Sequence, residues 1–313
     1  MLSFVIPAYN ESEGIEEFHN KLLLPNVKIL NEPYEIIYVN DGSKDDTLEK
    51  LSYIAKNNKN IKIVNLSRNF GKEIATTAGI FQSNGDATII LDADGQHPPA
   101  FFKEMVKEWK KGANVVVGVR NKEKHEGLTK KIGSKVFYKL FNSASGTEMV
   151  PRSTDFRLID KNVKEEFIKF TERSRITRGL IDWLGFKRAY IYFDSPARLA
   201  GKASYNLSSL TKLAINSFTS LSLKPLFLFG WVGLIITVVS FLLGVFILIE
   251  QFIMGDPMHI NFSGPFMLGV FTSFMIGILL ISQAMLAIYI SHIHTQTQNR
   301  PLFVIDKNSS VNL

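Results

Sequence analysis

Asp92-Ala93-Asp94-Gly95-Gln96-His97 sets two carboxylates two residues apart and an amide oxygen two residues further on. Hard oxygen donors at that spacing suit Mg²⁺ or Mn²⁺, which keep water or substrate phosphate in their remaining positions. A D-x-D triplet by itself is more often a solvated turn. Here it follows the apolar run Thr88-Ile89-Ile90-Leu91, and two other apolar runs also end in polar clusters, Pro7-Ala8-Tyr9-Asn10-Glu11 and Asn40-Asp41-Gly42-Ser43. Glu11, Asp41, Asp92 and Asp94 gathered in one crevice would repel one another unless a cation or a set of hydrogen-bond donors compensates them. His97 has the chemistry of a base but, beside Pro98-Pro99, is expected to hold the loop. Lys72, in Asn69-Phe70-Gly71-Lys72, stands at an expected helix start, where an anion is favoured; a lone lysine there is ordinarily a solvated charge. No G-x-G-x-x-G or G-x-x-x-x-G-K-[ST] follows any of these runs, which argues against a dinucleotide dehydrogenase and a P-loop NTPase. With no cysteine in the chain, thiol catalysis, a thiolate metal site and a disulfide scaffold are excluded.

The elements that must carry these clusters alternate over the first 120 residues. Residues 2–7, 34–40, 61–66, 87–91 and 114–119 are short runs rich in Val and Ile, as expected for strands buried on both faces. Residues 13–24, 47–56, 72–82 and 99–110 read as helices between them. That order predicts an α/β domain with a mostly parallel sheet and right-handed crossovers. Ligands of such sheets sit at the carboxyl ends of the strands, where all three polar clusters fall. Beyond residue 120 the strand pattern stops, and Asp155, in Thr154-Asp155-Phe156-Arg157-Leu158, reads as a loop acid paired with Arg157.

The C-terminal part is of another kind. Residues 225–249 and 257–299 contain no Asp, Glu, Lys or Arg. Twenty-five helical residues span roughly 37 Å at 1.5 Å each, enough for a hydrocarbon core of about 30 Å. Two transmembrane helices are expected, 225–251 and 265–291, joined by a short extracytoplasmic loop, 252–264, and followed by a cytoplasmic tail, 292–313. A juxtamembrane amphipathic segment, 206–224, is expected between them and a cytoplasmic catalytic domain over 1–205. Lys212 and Lys224 precede the first run and Arg300 and Lys307 follow the second, so the positive-inside rule puts both termini in the cytoplasm. The chain carries a net charge of +7. Between Arg173 and Lys212 eight basic residues face only Asp182 and Asp194, which suggests anionic lipid or phosphate as partner and not nucleic acid. Gly230, Gly233 and Gly244 would permit close helix packing and hence a homo-oligomer. Two spans without an intramembrane charge make a poor transport path.

V-I-P-A-Y-N-E (5–11), V-N-D-G-S (39–43), S-R-N-F-G-K-E (67–73), D-A-D-G-Q-H-P-P (92–99), T-D-F-R-L-I-D (154–160) and E-R-S-R-I-T-R-G-L (172–180) together resemble the family-two inverting glycosyltransferases of GT-A fold. More closely, the chain is similar to the bacterial polyisoprenyl-phosphate (bactoprenol) glucosyltransferases, relatives of dolichol-phosphate mannose synthase. The resemblance implies a GT-A, Rossmann-like α/β domain that moves a sugar from a nucleotide-diphosphate sugar to polyprenyl phosphate with inversion. It implies Pro7, Tyr9, Glu11, Asp41, Asp92 and Arg198 for the nucleotide, and Asp92, Asp94 and Gln96 for Mg²⁺ or Mn²⁺. Asp155 matches the residue proposed as catalytic base. Arg120 and Lys131 match acceptor-phosphate positions, and the basic Arg175 and Arg178 are assigned to the same phosphate. In Arg198-Leu199-Ala200-Gly201-Lys202-Ala203-Ser204-Tyr205, Ser204 replaces the family's usual lysine, with Lys202 nearby. UDP-glucose is the expected donor, with UDP-N-acetylglucosamine and GDP-mannose as alternatives; a non-catalytic membrane tether that binds nucleotide sugars is the alternative of another class.

Overall fold

The computed structural model describes residues 1–121 except 57, 150–196 except 174, and 264–313, with 242 and 249 as isolated positions. Lys131, Arg198, Lys202, Ser204, the amphipathic segment 206–224 and the extracytoplasmic loop up to residue 263 lie outside the described residues, as does the first expected span apart from those two positions. The chain divides into two compact units, Met1–Asn206 together with Arg300–Leu313, and Leu207–Asn299.

The first unit is built on seven strands: β1 Leu2–Ala8, β2 Tyr34–Asn40, β3 Ile61–Asn65, β4 Ala87–Ile90, β5 Val115–Arg120, β6 Ser153–Asp160 and β7 Arg188–Phe193. Their spatial order is β3-β2-β1-β4-β6-β5-β7. β6 runs antiparallel between β4 and β5, and every other pairing is parallel. This is the α/β GT-A type, and the order reverses direction at β1 and β4, where a crevice opens at the carboxyl ends. The strand pattern does not stop at residue 120, as β6 and β7 show. Alternation hid β6, because its inward positions include Arg157, which is 1% exposed and neutralised inside the fold.

Helices cover both faces. Helix α1, Ile15–Glu17, continues through a π-helical stretch, Phe18–Leu23, into α2, Leu24–Ile29. These, with α3 Thr47–Ala55 and α5 Phe102–Lys110, lie over a core of Phe4, Ile6, Ile36, Tyr38, Phe102 and Phe156. On the other face α4 Lys72–Gln82, α6 Lys161–Ile168 and α7 Thr177–Trp183 cover Val5, Ile37, Val39, Val117 and Ile159. A Cβ on Gly79 would lie 2.3 Å from Val5 Cγ1, so α4 sits closer to β1 than any other residue type would allow. That approach fixes the helix whose first residue is Lys72.

The second expected span falls on helix α8, Gly264–Thr297, whose backbone is helical for 34 residues. Its side chains are described only in part, and among the described residues no helix is long and apolar enough to cross a membrane. The stretch expected as a tail is helical to Thr297 and then packs on the first unit. Ile305 and Val311 form antiparallel bridges to Leu66 and Ile63 beside β3, and Phe303 meets Phe81 edge-on with ring centroids 5.8 Å apart.

Candidate active site

The ends of β1, β2 and β4 meet at a cavity of about 670 Å³, on the scale of a small-molecule site. Pro7, Tyr9, Glu11, Asp41, Asp92, Asp94, Gln96, Arg120, Asp155 and Arg178 all line it. The structure therefore brings together the sequence-predicted residues of both donor and acceptor, with one exception among those described. Arg175 is 5% exposed and lies in its own loop, its guanidinium donating to the carbonyls of Glu172 and Phe170 and standing 5.3 Å over the Phe167 ring. Its charge serves that packing and does not reach the cavity.

On the β1–β2 side the polar groups are held by backbone. Asp41 Oδ1 and Oδ2 accept from the amides of Phe70 and Gly71 at 2.7 and 2.9 Å. Burial raises this carboxyl, and the two amides and the Arg68 guanidinium counter the rise without cancelling it. Gly42 takes φ +64, and a Cβ there would lie 2.4 Å from the Arg68 carbonyl carbon, so the two loops interlock. Asn10, at φ 53, receives Lys44 N–H on its side chain and donates its own amide to Ser43 Oγ, and Glu11 N–H donates to Thr47 Oγ1.

In the centre, Asp94 Oδ1 caps Gln96 N–H at 3.0 Å, and Gln96 Oε1 accepts from Arg120 Nη2 at 3.3 Å. His97 is 2% exposed; its Nδ1 accepts from Asp92 N–H at 3.0 Å and its ring stacks on Phe156. Burial lowers its pKa, so it is a neutral brace for the loop that carries the acids.

Lys72 is the cation that the acids require. Its Nζ lies 2.7 Å from Asp92 Oδ1 and 3.0 Å from Asp155 Oδ2, so the lysine, although its side chain is 39% exposed, is paired with two carboxylates and is not a lone surface charge. Burial works against its charge, but the two carboxylates outweigh burial and raise its pKa. The effect on Asp155 is the mirror image. Burial would raise that carboxyl, yet Lys72, Arg178 and Arg157 hold it well below the ordinary range. Asp155 pairs with Lys72 and not with Arg157, a correction to the sequence reading. Arg157 turns inward to Asp182 at 2.7 Å and also donates to the carbonyls of Thr154 and Arg178. That buried pair clamps β6, which carries Asp155, to α7, which carries Arg178. Glu73 adds a second tie, accepting from Thr177 N–H at 2.8 Å.

Four further residues that the sequence did not mark also line the cavity: Asn69 in the loop beside Asp41, and Asn121, Arg152 and Ser153 on the far wall. Ser153 and Arg152 sit immediately before the T-D-F-R stretch, and that adjacency was the only signal for them. Among the described residues, four of the buried polar atoms without a hydrogen-bond partner lie on this wall: Arg120 Nε, Ser153 Oγ, Asp155 Oδ1 and Arg178 Nε.

Asp92, Asp94 and Gln96 offer three hard oxygen donors to the same cavity, and the ammonium already drawn to Asp92 shows that the acids attract a cation. The set fits Mg²⁺ or Mn²⁺ if substrate phosphate and water complete the coordination. Among the described residues no group of three or more His, Asp and Glu could hold a metal by itself.

Residues 3–167 match Glycosyl transferase family 2. The chain belongs to that family. This glycosyl transferase is 37% identical over 306 residues to an uncharacterized glycosyltransferase of Synechocystis, covering 97% of this chain and 94% of that one. It is 32% identical over 311 residues to a bactoprenol glucosyl transferase of Shigella phage SfII, covering 98% of each. Among solved structures, mannosyl-3-phosphoglycerate synthase from Rubrobacter xylanophilus superimposes with a TM-score of 0.51 at 17% identity, over 69% of this chain and 71% of that one. At that identity the likeness is one of fold alone.

Proposed function

We propose that this glycosyl transferase moves glucose from UDP-glucose to the phosphate of a membrane polyprenyl phosphate, with inversion at the anomeric carbon. The observation that carries the reading is one cavity with two unlike walls: a backbone-braced acidic wall suited to a nucleotide and its metal, and a wall with two arginines and a serine holding unpartnered polar atoms, suited to a phosphate. Full-length similarity to a bactoprenol glucosyl transferase supports the choice of sugar and acceptor.

In this reading Pro7, Tyr9, Glu11, Asp41 and Asp92 hold the nucleotide, with Arg198 approaching the diphosphate. Asp92, Asp94 and Gln96 would hold Mg²⁺ or Mn²⁺, which when bound would supply positive charge beside the leaving diphosphate. Arg120, Arg178 and Lys131 hold the acceptor phosphate. One of its oxygens attacks the anomeric carbon, the bond from that carbon to the donor diphosphate breaks, and UDP departs with the electron pair. Near neutral pH the acceptor phosphate is already largely ionised. A carboxyl held below its ordinary range by Lys72 is a weak proton acceptor, so Asp155 works as a fixed negative charge that orients Lys72 and the arginines.

The acceptor's lipid tail requires a membrane. Residues 225–251 and 265–291 are taken to cross the plasma membrane, both termini and the catalytic unit being cytoplasmic, because these runs lack charge and the flanks are basic. The deciding experiment offers purified full-length protein UDP-glucose, UDP-N-acetylglucosamine and GDP-mannose, each radiolabelled, with undecaprenyl phosphate and Mg²⁺. Label passing to the organic phase from UDP-glucose is the expected result. Label from another sugar alone would replace the donor, and label from none would overturn the reading.

A further inference from the structure

The last 14 residues, Arg300–Leu313, are separated by two residues from the end of helix α8 and belong to the first unit. They lie along β3, the outermost strand on the nucleotide side of the sheet. Ile63 and Val311 exchange backbone hydrogen bonds at 2.9 and 3.0 Å, Ser67 N–H donates to Val304 O at 2.9 Å, and Asp306 N–H donates to Asn65 O at 2.8 Å. An exposed sheet edge is a hazard that proteins commonly cover, and covering would account for these backbone contacts.

It does not account for the side chains at Asn65. The Asn65 backbone amide donates to Ser310 Oγ at 3.0 Å and its Nδ2 to Ser309 Oγ at 2.7 Å. Both hydroxyls are aimed by Asp306, whose carboxylate accepts from Ser309 at 2.5 Å and whose carbonyl accepts from Ser310 at 2.7 Å. Asn65 Oδ1, so oriented, accepts from Asn40 Nδ2 at 2.6 Å in a buried contact. Asn40 is the residue before Asp41, and its Oδ1 receives Ser43 N–H at 3.4 Å. Fixing the Asn65 amide fixes which end of it faces Asn40, and thereby the start of the loop that presents Asp41.

We infer that the C-terminal tail is part of the nucleotide-binding apparatus: Ser309 and Ser310 are positioning residues that act through Asn65 and Asn40 on Asp41. None of the four lines the cavity. The inference rests on the reading of that cavity as a nucleotide site. A pure edge cover can be told apart from it, because the tail has a second anchor far from the cavity. Asn312 Nδ2 donates to the carbonyls of Ala55, Asn58 and Ile61 at 3.4, 3.3 and 2.8 Å, at the opposite end of β3.

The test uses full-length protein in detergent, UDP with Mg²⁺ as calorimetric ligand, and thermal melting in parallel. Ser309→Ala with Ser310→Ala should weaken UDP binding about five- to ten-fold, the scale of one or two lost hydrogen bonds. Ser309→Thr, which keeps the hydroxyl, should retain wild-type affinity. Asn312→Ala should lower the melting temperature at least as much as the serine pair does while UDP affinity stays unchanged. Wild-type affinity in the serine pair, or equal loss of affinity in Asn312→Ala, would overturn the inference and leave the tail an edge cover. Failure of the wild-type protein to bind UDP at all would strike the nucleotide reading itself, and the inference with it.

Discussion

The two walls of the cavity are built on opposite plans. On the β1–β2 wall the Asp41 carboxylate already has its partners, two backbone amides on a loop locked against it. On the β6–α7 wall, Arg120, Ser153, Asp155 and Arg178 each keep a buried polar atom unpartnered, and Asp155 is held by a side chain, the ammonium of Lys72, and not by backbone amides. A buried polar atom left unpaired costs about 1–3 kcal/mol, so a ligand that enters against this wall must pair these atoms to bind well. In the proposed reading the first wall is preorganised for its ligand and the second would be completed by its ligand. Substitutions should therefore split by wall in which substrate they affect.

The largest effects are expected where the walls meet. Asp94→Asn and Asp155→Asn should each cut kcat about a thousand-fold, a scale seen when one electrostatic group acting at a transition state is removed. For Asp155→Asn kcat and kcat/KM should fall together with donor affinity nearly constant. A rise in acceptor KM alone would make Asp155 a binding contact. Chelation should silence the wild-type enzyme and Mg²⁺ or Mn²⁺ should restore it; full activity of Asp94→Asn in excess chelator would remove the metal from the account.

Next comes the frame of the β6–α7 wall. Arg157→Met leaves Asp182 buried without its main partner, a loss of about 3–5 kcal/mol in denaturant unfolding. Replacing both residues with apolar ones should recover most of that stability but not the activity, because the clamp between Asp155 and Arg178 would still be gone. Recovery of both would reduce Arg157 to packing.

A smaller effect is expected at Ser153. Ser153→Ala should raise the acceptor KM about ten-fold, the order of one hydrogen bond to a charged group, and leave the donor KM alone. An unchanged acceptor KM would mean that the unpaired hydroxyl is not a phosphate contact.

The sequence made one wall far more legible than the other, and the reason is distance along the chain. Asp41, Asp92 and Asp94 announce themselves because each follows directly on an apolar strand, a local signal. Lys72 meets Asp155 across 83 residues and Arg157 meets Asp182 across 25, with nothing local to mark either pair. Strand β6 was missed for the same reason: a buried arginine breaks the apolar alternation, and only the fold supplies its counter-charge. The tail reads as an appendage because the partner of Ser309 lies 244 residues earlier.

The smallest effect concerns the stability of the unit and not its chemistry. His19 is buried with its Nδ1 2.9 Å from the Tyr38 hydroxyl, and burial, aided by Lys28, pushes it from 6.5 down to about 4. Between those values the unfolded chain binds the extra proton and the folded one does not, so stability falls as pH drops from 6.5 towards 4, by at most about 1.4 kcal/mol per pH unit. Denaturant titrations at several pH values should show that slope in the wild type and lose it in His19→Gln. A slope unchanged by the substitution would assign it to other groups.

The most direct test of the two-wall account is a pair of KM measurements on two variants, with UDP-glucose and polyprenyl phosphate each varied in turn. Asp41→Asn should raise the donor KM and leave the acceptor KM unchanged, and Arg120→Gln should do the reverse. If both variants raise the same KM, the cavity does not divide its substrates between its walls.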